Sequence, residues 1–196
     1  MSFLGLDLSL KSTGYAKFTI DGKLMEKGVI APDKELDNYF KINYITRRIE
    51  ELLENVEEVA IEDLYLGKNF AGIRNLARLS GAVINTWVNR KYKLPYIYMA
   101  SHARKLVGVK GNAQKIEIQL WVAEKYKFCK PNIITDYLKE IDTLKLQKSE
   151  KQLKSTKYKY RMIKLSNQFE KDTGLGNDMA DAILIGLAFK EDTCQN

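Results

Sequence analysis

A chain of 196 residues, 45% of them hydrophobic, can bury one substantial core, and nothing in its composition divides it into two domains. No apolar run approaches the roughly 18 residues of a membrane span. Asp7 also breaks the N-terminal stretch where a secretory signal needs unbroken apolar residues, so a soluble cytoplasmic chain without a membrane partner is expected. Cys129, Cys194 and the single histidine, His102, fall short of a structural zinc set and leave two free thiols, while the net charge of +7 points to an acidic partner.

In chain order, residues 3–20 (FLGLDLSLKSTGYAKFTI) read as strand, polar turn, strand. Asp7 is the residue to explain, because an ionised carboxylate between Leu6 and Leu8 survives partial burial only when it is paired or holds a metal. It belongs where the strand opens into a site. Ser9, Lys11, Ser12 and Thr13 then offer hydroxyls and a cation to an anionic oxygen, and Gly14 lets the next strand approach closely. Asp21-Gly22 supplies the positive φ angles of a tight turn between residues 13–20 and 23–30, so three antiparallel strands open the protein.

Residues 38–56 place Ile42, Ile45, Ile49, Leu52, Leu53 and Val56 at helical spacing. Residues 58–63 (EVAIED) form a short apolar strand ending in two acids, Glu62 and Asp63. A second helix, capped by Asn69, covers residues 70–90 with Ile73, Leu76, Ala77, Ile84, Trp87 and Val88 on one face. A strand at 95–99, a short helix from Ser101 and a helix capped by Asn112 and running to Tyr126 follow. The last element, residues 177–189, is a helix that is apolar on one face.

Between the last two helices lies the excess charge. Residues 125–171 hold thirteen Lys or Arg against five acids, a balance of +8 that leaves the rest of the chain at −1. A nucleic acid is therefore the expected partner. This segment has no glycine and one proline, Pro131, and its Ile134, Leu138, Ile141 and Leu144 follow helical spacing, so the insertion at 127–172 is read as helical, with Ser149 and Gln152 as a capping box.

Four carboxylates carry the chemistry: Asp7 and Glu62 in apolar strand sequence, and Asp178 with Asp181, three residues apart on one helical face. Oxygen donors of this kind suit hard divalent cations such as magnesium. Taken alone, Asp178 reads as a helix-capping acid; Asp7 and Glu62 stand where a bland strand would carry Val or Ile.

The segments GLDLSLKSTGYA, AIEDLYLGKNFAGIRNLARLSGA, VGVKGNAQK and NDMADAILIG, in that order and spacing, closely resemble the RuvC-type Holliday junction resolvases of bacteria and their phages, within the ribonuclease H-like superfamily. The resemblance covers most of residues 1–126 and 174–190. It implies an α/β fold whose mixed five-stranded sheet has three antiparallel strands, then two parallel, with helices on both faces. It implies a two-fold dimer that cuts branched DNA with two Mg2+ ions per site, Mn2+ substituting, held by Asp7, Glu62, Asp178 and Asp181. Four-way junctions, forks and flaps are the candidate substrates. Lys115 matches a lysine near the scissile phosphate, Tyr65 an aromatic near the junction centre, and Lys68 and Asn69 the family's KN pair. Residues 70–90 fall at or near the dimer contact, and Arg104 and Lys105 are the candidates for a second basic position.

Arg74 and Arg78, one turn apart, are further candidates for DNA phosphate, as are Lys154, Lys157, Lys159 and Arg161 in the basic segment. Tyr65 reads equally as a half-buried strand-end tyrosine, and His102 as a surface residue. The first motif alone also opens actin-like ATPases and sugar kinases, so a small nucleotide-phosphate-handling enzyme is the alternative, and a non-catalytic junction-binding protein a third. The insertion is much longer than the family's usual connection there, which bears on substrate range more than on the reaction.

Overall fold

The computed structural model describes residues 1–64, 70–146 and 155–194. Strands β1 (Ser2–Asp7), β2 (Thr13–Thr19), β3 (Leu24–Ile30), β4 (Val56–Glu62) and β5 (Tyr96–Tyr98) form one sheet in the order β3-β2-β1-β4-β5. β2 is antiparallel to both β1 and β3, and β1 runs parallel to β4, as β4 does to β5. The β2–β3 turn differs from expectation in detail. Only Gly22 has positive φ (88°); its N–H donates to the Thr19 carbonyl and the Thr19 N–H to the Lys23 carbonyl. That is a three-residue hairpin loop closed by a left-handed glycine, not a two-residue turn.

Alternation along β1 divides the molecule. Leu4 and Leu6 face helices α1 (Asn38–Leu52) and α2 (Phe70–Lys91), whose Ile45, Ile49, Leu79, Val83 and Trp87 complete one apolar layer. Phe3 and Gly5 face the other way, onto α7 (Asn177–Cys194). Asp37 caps α1 by accepting the Tyr39 N–H, and α1 ends at Leu52, because Asn55 turns left-handed (φ 58°) and Val56 already belongs to β4. Along α2 the buried stripe is Leu79, Val83 and Trp87; Ala77 is exposed, a rotation of the expected face.

On the second face α7 packs on β1 and β2 and is covered by α3 (Ala100–Leu106) and α4 (Lys115–Tyr126). Enclosed on both sides, it is buried continuously from Ala180 to Phe189, whereas one apolar face was expected. Gln114, not Asn112, caps α4: Glu117 accepts the Gln114 N–H at 2.7 Å in a reciprocal capping box. The described part of the basic segment forms α5 (Pro131–Leu146) and α6 (Thr156–Thr173), which pack on the outer side of α4 as an additional layer. Ser155 caps α6; the expected capping box at Ser149 and Gln152 lies outside the described residues. Among the described residues no helix is long and apolar enough to cross a membrane.

Candidate active site

The alternation that aims Phe3 and Gly5 at α7 aims Asp7 there too, at the last position of β1. On the parallel neighbour β4, Ala60 faces α7 while Val59 and Ile61 face the other layer, so Glu62 ends that strand on the same side. Leu6 pairs with Ile61, which leaves Asp7 and Glu62 side by side one residue further on. On the other side Asp7 pairs with Gly14. A Cβ on Gly14 would stand 1.9 Å from the Asp178 carbonyl oxygen, so glycine here admits the first turn of α7, not a strand as expected. Asp178 and Asp181 arrive on that turn, and Asp181 is only 7% exposed.

Among the described residues no ion pair and no side-chain hydrogen bond reaches any of the four carboxylates. Burial raises the pKa of Asp7 well above the usual carboxylate range, with the charges of Glu62, Asp181 and Asp178 adding to it. Burial, then the charge of Asp181, pushes Glu62 up to about 7; Asp181 is raised by burial and by Asp178. Lys115, on the first turn of α4, pulls Asp7, Glu62 and Asp181 back down, and Arg104 of α3 does so for Glu62 and Asp181. These shifts join the six residues in one electrostatic network centred on Asp181, which interacts with each of the other five.

Among the described residues no three His, Cys, Asp or Glu side chains are gathered into a coordinating set. The quartet is linked by charge and not by contact. Its chemistry still fits a hard divalent ion: every donor is an oxygen, and the charges are too deeply placed for water to compensate them fully.

Of the two basic candidates on α3 the structure favours Arg104. Its guanidinium donates to the carbonyls of Gly111 and Ala113 and lines, with Glu62, Ser101 and Met99, an open cleft of about 530 Å³. Lys105 is exposed, with its stem against Gly111. The polar turn after β1 is braced from within. Thr13 is buried; its hydroxyl donates to the Ser9 carbonyl and accepts the Ser9 N–H.

Arg74 is exposed on α2; Arg78 is engaged by Asn75 and stacks over Tyr39. Lys157, Lys159 and Arg161 are exposed on α6, but at 100° per residue Lys159 points roughly 160° away from Lys157, whereas Arg161 and Lys164 continue the Lys157 side. Lys157 precedes the end of α6 by sixteen residues, roughly 24 Å along the axis, and its neighbour Tyr158 lies within electrostatic reach of Glu117, two residues after Lys115. Tyr65, Lys68, Asn69 and Lys154 lie outside the described residues. Sequence reasoning missed a buried amide and hydroxyl, Gln119 and Ser166, that tie α6 to the start of α7.

The family model of the crossover junction endodeoxyribonuclease RuvC matches residues 3–137. The chain belongs to the RuvC family. Among curated RuvC proteins it is 29% identical to that of Orientia tsutsugamushi (strain Ikeda) over 128 residues, 62% of this chain and 79% of that protein. With the RuvC of Sulfurovum sp. (strain NBC37-1) the identity is 30% over 145 residues, 69% of this chain and 89% of that one. The structure of T. thermophilus RuvC in complex with a Holliday junction substrate superposes with a TM-score of 0.65 at 15% identity, covering 100% of this chain and 97% of that chain. The fold is therefore RuvC-like, within the ribonuclease H-like class. RuvC-family nucleases depend on divalent cations. The matched RuvC region contains Asp7, Glu62, Arg104 and Lys115 and ends inside α5; Asp178 and Asp181 lie beyond it.

Proposed function

We propose that this chain is a crossover junction endodeoxyribonuclease that resolves Holliday junctions and related branched DNA by hydrolysing phosphodiester bonds, with Asp7, Glu62, Asp178 and Asp181 holding divalent cations. One observation carries the assignment of the site. Three separate parts of the chain bring four carboxylates to one face of the sheet, where burial and neighbouring negative charge disfavour the ionised forms of Asp7, Glu62 and Asp181 and the nearby cations offset them. Such an arrangement costs stability unless it serves binding.

Two Mg2+ ions, for which Mn2+ substitutes, would supply activation of the nucleophile and stabilisation of the leaving 3′ oxygen. This chain's own groups do the rest. Carboxylates hold such ions only when ionised, and Lys115 favours that form of Asp7, Glu62 and Asp181, as Arg104 does for Glu62 and Asp181. Lys115 would meet negative charge developing on the phosphate oxygens, and Arg104, which lines the cleft beside Glu62, would meet the entering strand. Tyr65, flanked by Lys68 and Asn69, would stack on an exposed base at the junction centre, and Arg74, Lys154, Lys157, Lys159 and Arg161 would meet flanking phosphates. The protein works as a homodimer through α2, whose exposed face carries Phe70, Ala77 and Gly81. Family membership sets aside the actin-like alternative, and the gathered acids speak against a non-catalytic binder.

The test is incubation with labelled four-way junctions, forks, flaps and linear duplex. Nicking of a branched substrate is expected in Mg2+ or Mn2+, with binding but no turnover in Ca2+, whose longer and looser coordination suits this chemistry poorly. Asp7→Asn and Glu62→Gln should bind the junction and leave it intact. Near wild-type cutting by either variant would overturn the assignment.

A further inference from the structure

The α5–α6 hairpin touches the first turns of both helices that deliver catalytic groups. Lys145 of α5 reaches Glu117, two residues after Lys115, at 2.6 Å. Ser166 of α6 reaches Asn177, the residue before Asp178, at 2.8 Å. The first link is partly exposed, and ion pairs of that kind contribute little. The second is buried and continuous. Ser166 is 1% exposed and Gln119 of α4 fully buried. Gln119 donates through Nε2 to the Leu175 carbonyl at 2.8 Å, just ahead of α7, and its Oε1 lies 2.8 Å from the Ser166 hydroxyl.

The proton arithmetic fixes the direction of each bond. A serine hydroxyl carries one proton but stands beside the Oε1 of Gln119 and the Oδ1 of Asn177. Gln119 cannot turn over without losing its bond to Leu175, so the hydroxyl donates to Gln119. The Asn177 amide, whose ends interchange by a half-turn, then donates its N–H to Ser166. Gln119 thereby holds the Leu175 carbonyl and Ser166 the Asn177 amide, while the two side chains bond each other.

The geometry points to Ser166 and Asn177, with Gln119, as positioning residues that set the first turn of α7, and so Asp178 and Asp181, relative to β1 and β4. The hairpin thus becomes a part of the nuclease centre. This rests on the proposed metal site. Alternation already aims Asp7 and Glu62 correctly, and the seat of α7 on Gly5 and Gly14 sets its distance from the sheet. Those contacts, at Asp178, Ala182 and Gly186, set which face of α7 meets the sheet, but helix ends fray, and the residue ahead of Asp178 is reached from α6. The part-buried bond between Ser166 and Asn177 holds that end of the helix from the α6 side.

The experiment compares wild type, Asn177→Ala, Ser166→Ala and the double variant. Asn177 is half-exposed, and its truncation leaves Ser166 bonded to Gln119, so Asn177→Ala is expected to keep the wild-type melting temperature. Four quantities are read: melting temperature, junction affinity in Ca2+, Mn2+ affinity of the DNA-free protein by calorimetry, and single-turnover cleavage.

Asn177→Ala should weaken Mn2+ binding and slow cleavage by about tenfold, the scale at which groups behind metal ligands act, with junction affinity within about twofold of wild type. The double variant should be no slower than the slower single one. Wild-type Mn2+ affinity and cleavage in Asn177→Ala would overturn the proposal, as would losses in strict proportion to a lowered melting temperature. Should Ser166→Ala fail to fold, Asn177→Ala decides alone. Failure of the wild type to bind Mn2+ or to cut would instead overturn the metal site itself.

Discussion

Helices α6 and α7 are both 18 residues long and follow one another in the chain, yet they use polar residues in opposite ways. α6 is amphipathic. It buries Tyr158, Met162, Leu165 and Phe169 and turns Lys157, Arg161 and Lys164 outward, where a charge costs nothing to keep. α7 is buried almost all round, and its first turn carries two carboxylates inward beside two more. Charge on α6 follows from solubility and is the proposed source of long-range attraction for DNA. Charge on α7 runs against stability and has to be explained by what it binds. A charged residue in the wrong place is therefore the more informative one.

The sharpest way to break this contrast is to neutralise one charge on each helix. Asp181→Asn should abolish cleavage in Mg2+ while the metal-free protein melts at the same temperature or higher, since a repelled, buried carboxylate has been removed. Lys164→Ala should leave single-turnover cleavage at saturating DNA unchanged. Equal losses of cleavage in the two variants would dissolve the distinction.

A smaller effect is expected from Lys157, Arg161 and Lys164 changed together to Ala. Affinity should fall for every DNA shape, and the log–log salt slope should shrink by about 0.9 for each phosphate no longer neutralised. Because phosphate contacts position DNA without reading its branch, preference for junctions over duplex should persist. An unaltered salt slope would show the stripe to be mere surface, and a selective loss of junction preference would make it the element that reads the branch.

The smallest effect concerns pH. Asp7, Glu62 and Asp181 bind protons more tightly folded than unfolded, so in metal-free protein they destabilise the fold when ionised. Between the ordinary carboxylate range and neutrality the native state holds more protons than the unfolded one, and stability falls as pH rises. The melting temperature without metal should therefore drop as pH passes upward through about 7, the value for Glu62, and Glu62→Gln should flatten that slope. Saturating Mn2+ should reverse its sign, because the ions bind the deprotonated acids. A metal-free melting temperature that rises over this range would contradict the burial of the cluster.

The three opening antiparallel strands were legible because short-range pattern carries them, alternation and a glycine turn, and Asp7 and Glu62 stood out among Leu and Ile; the two parallel strands, and the joining of Asp178 and Asp181 to the other acids, came from the resemblance to the RuvC family. What was misjudged depended on neighbours distant in sequence. Asn112 is as good a cap residue as any, but the helix starts where Gln114 and Glu117 can bond each other. Ala77 fits a helical stripe, but the sheet's position selects the stripe through Leu79, Val83 and Trp87. Asn177 was legible as a helix start only, because its partner Ser166 is eleven residues away and Gln119 a further 47 from Ser166. The expectation that Gly14 admits a strand identified the right atom and the wrong visitor, since nothing local reveals that α7 returns there.

The seat of α7 has one more consequence. A Cβ on Gly5 would meet the Ala182 carbonyl oxygen at 2.5 Å and the Gly186 nitrogen at 2.7 Å, and one on Gly14 the Asp178 carbonyl, so over this seam main chain rests directly on main chain. Side chains repack when cores drift in volume; peptide groups have no such slack. The seam therefore works as a gauge block, holding the spacing between strand-borne and helix-borne acids constant while the apolar residues around it are free to vary in size.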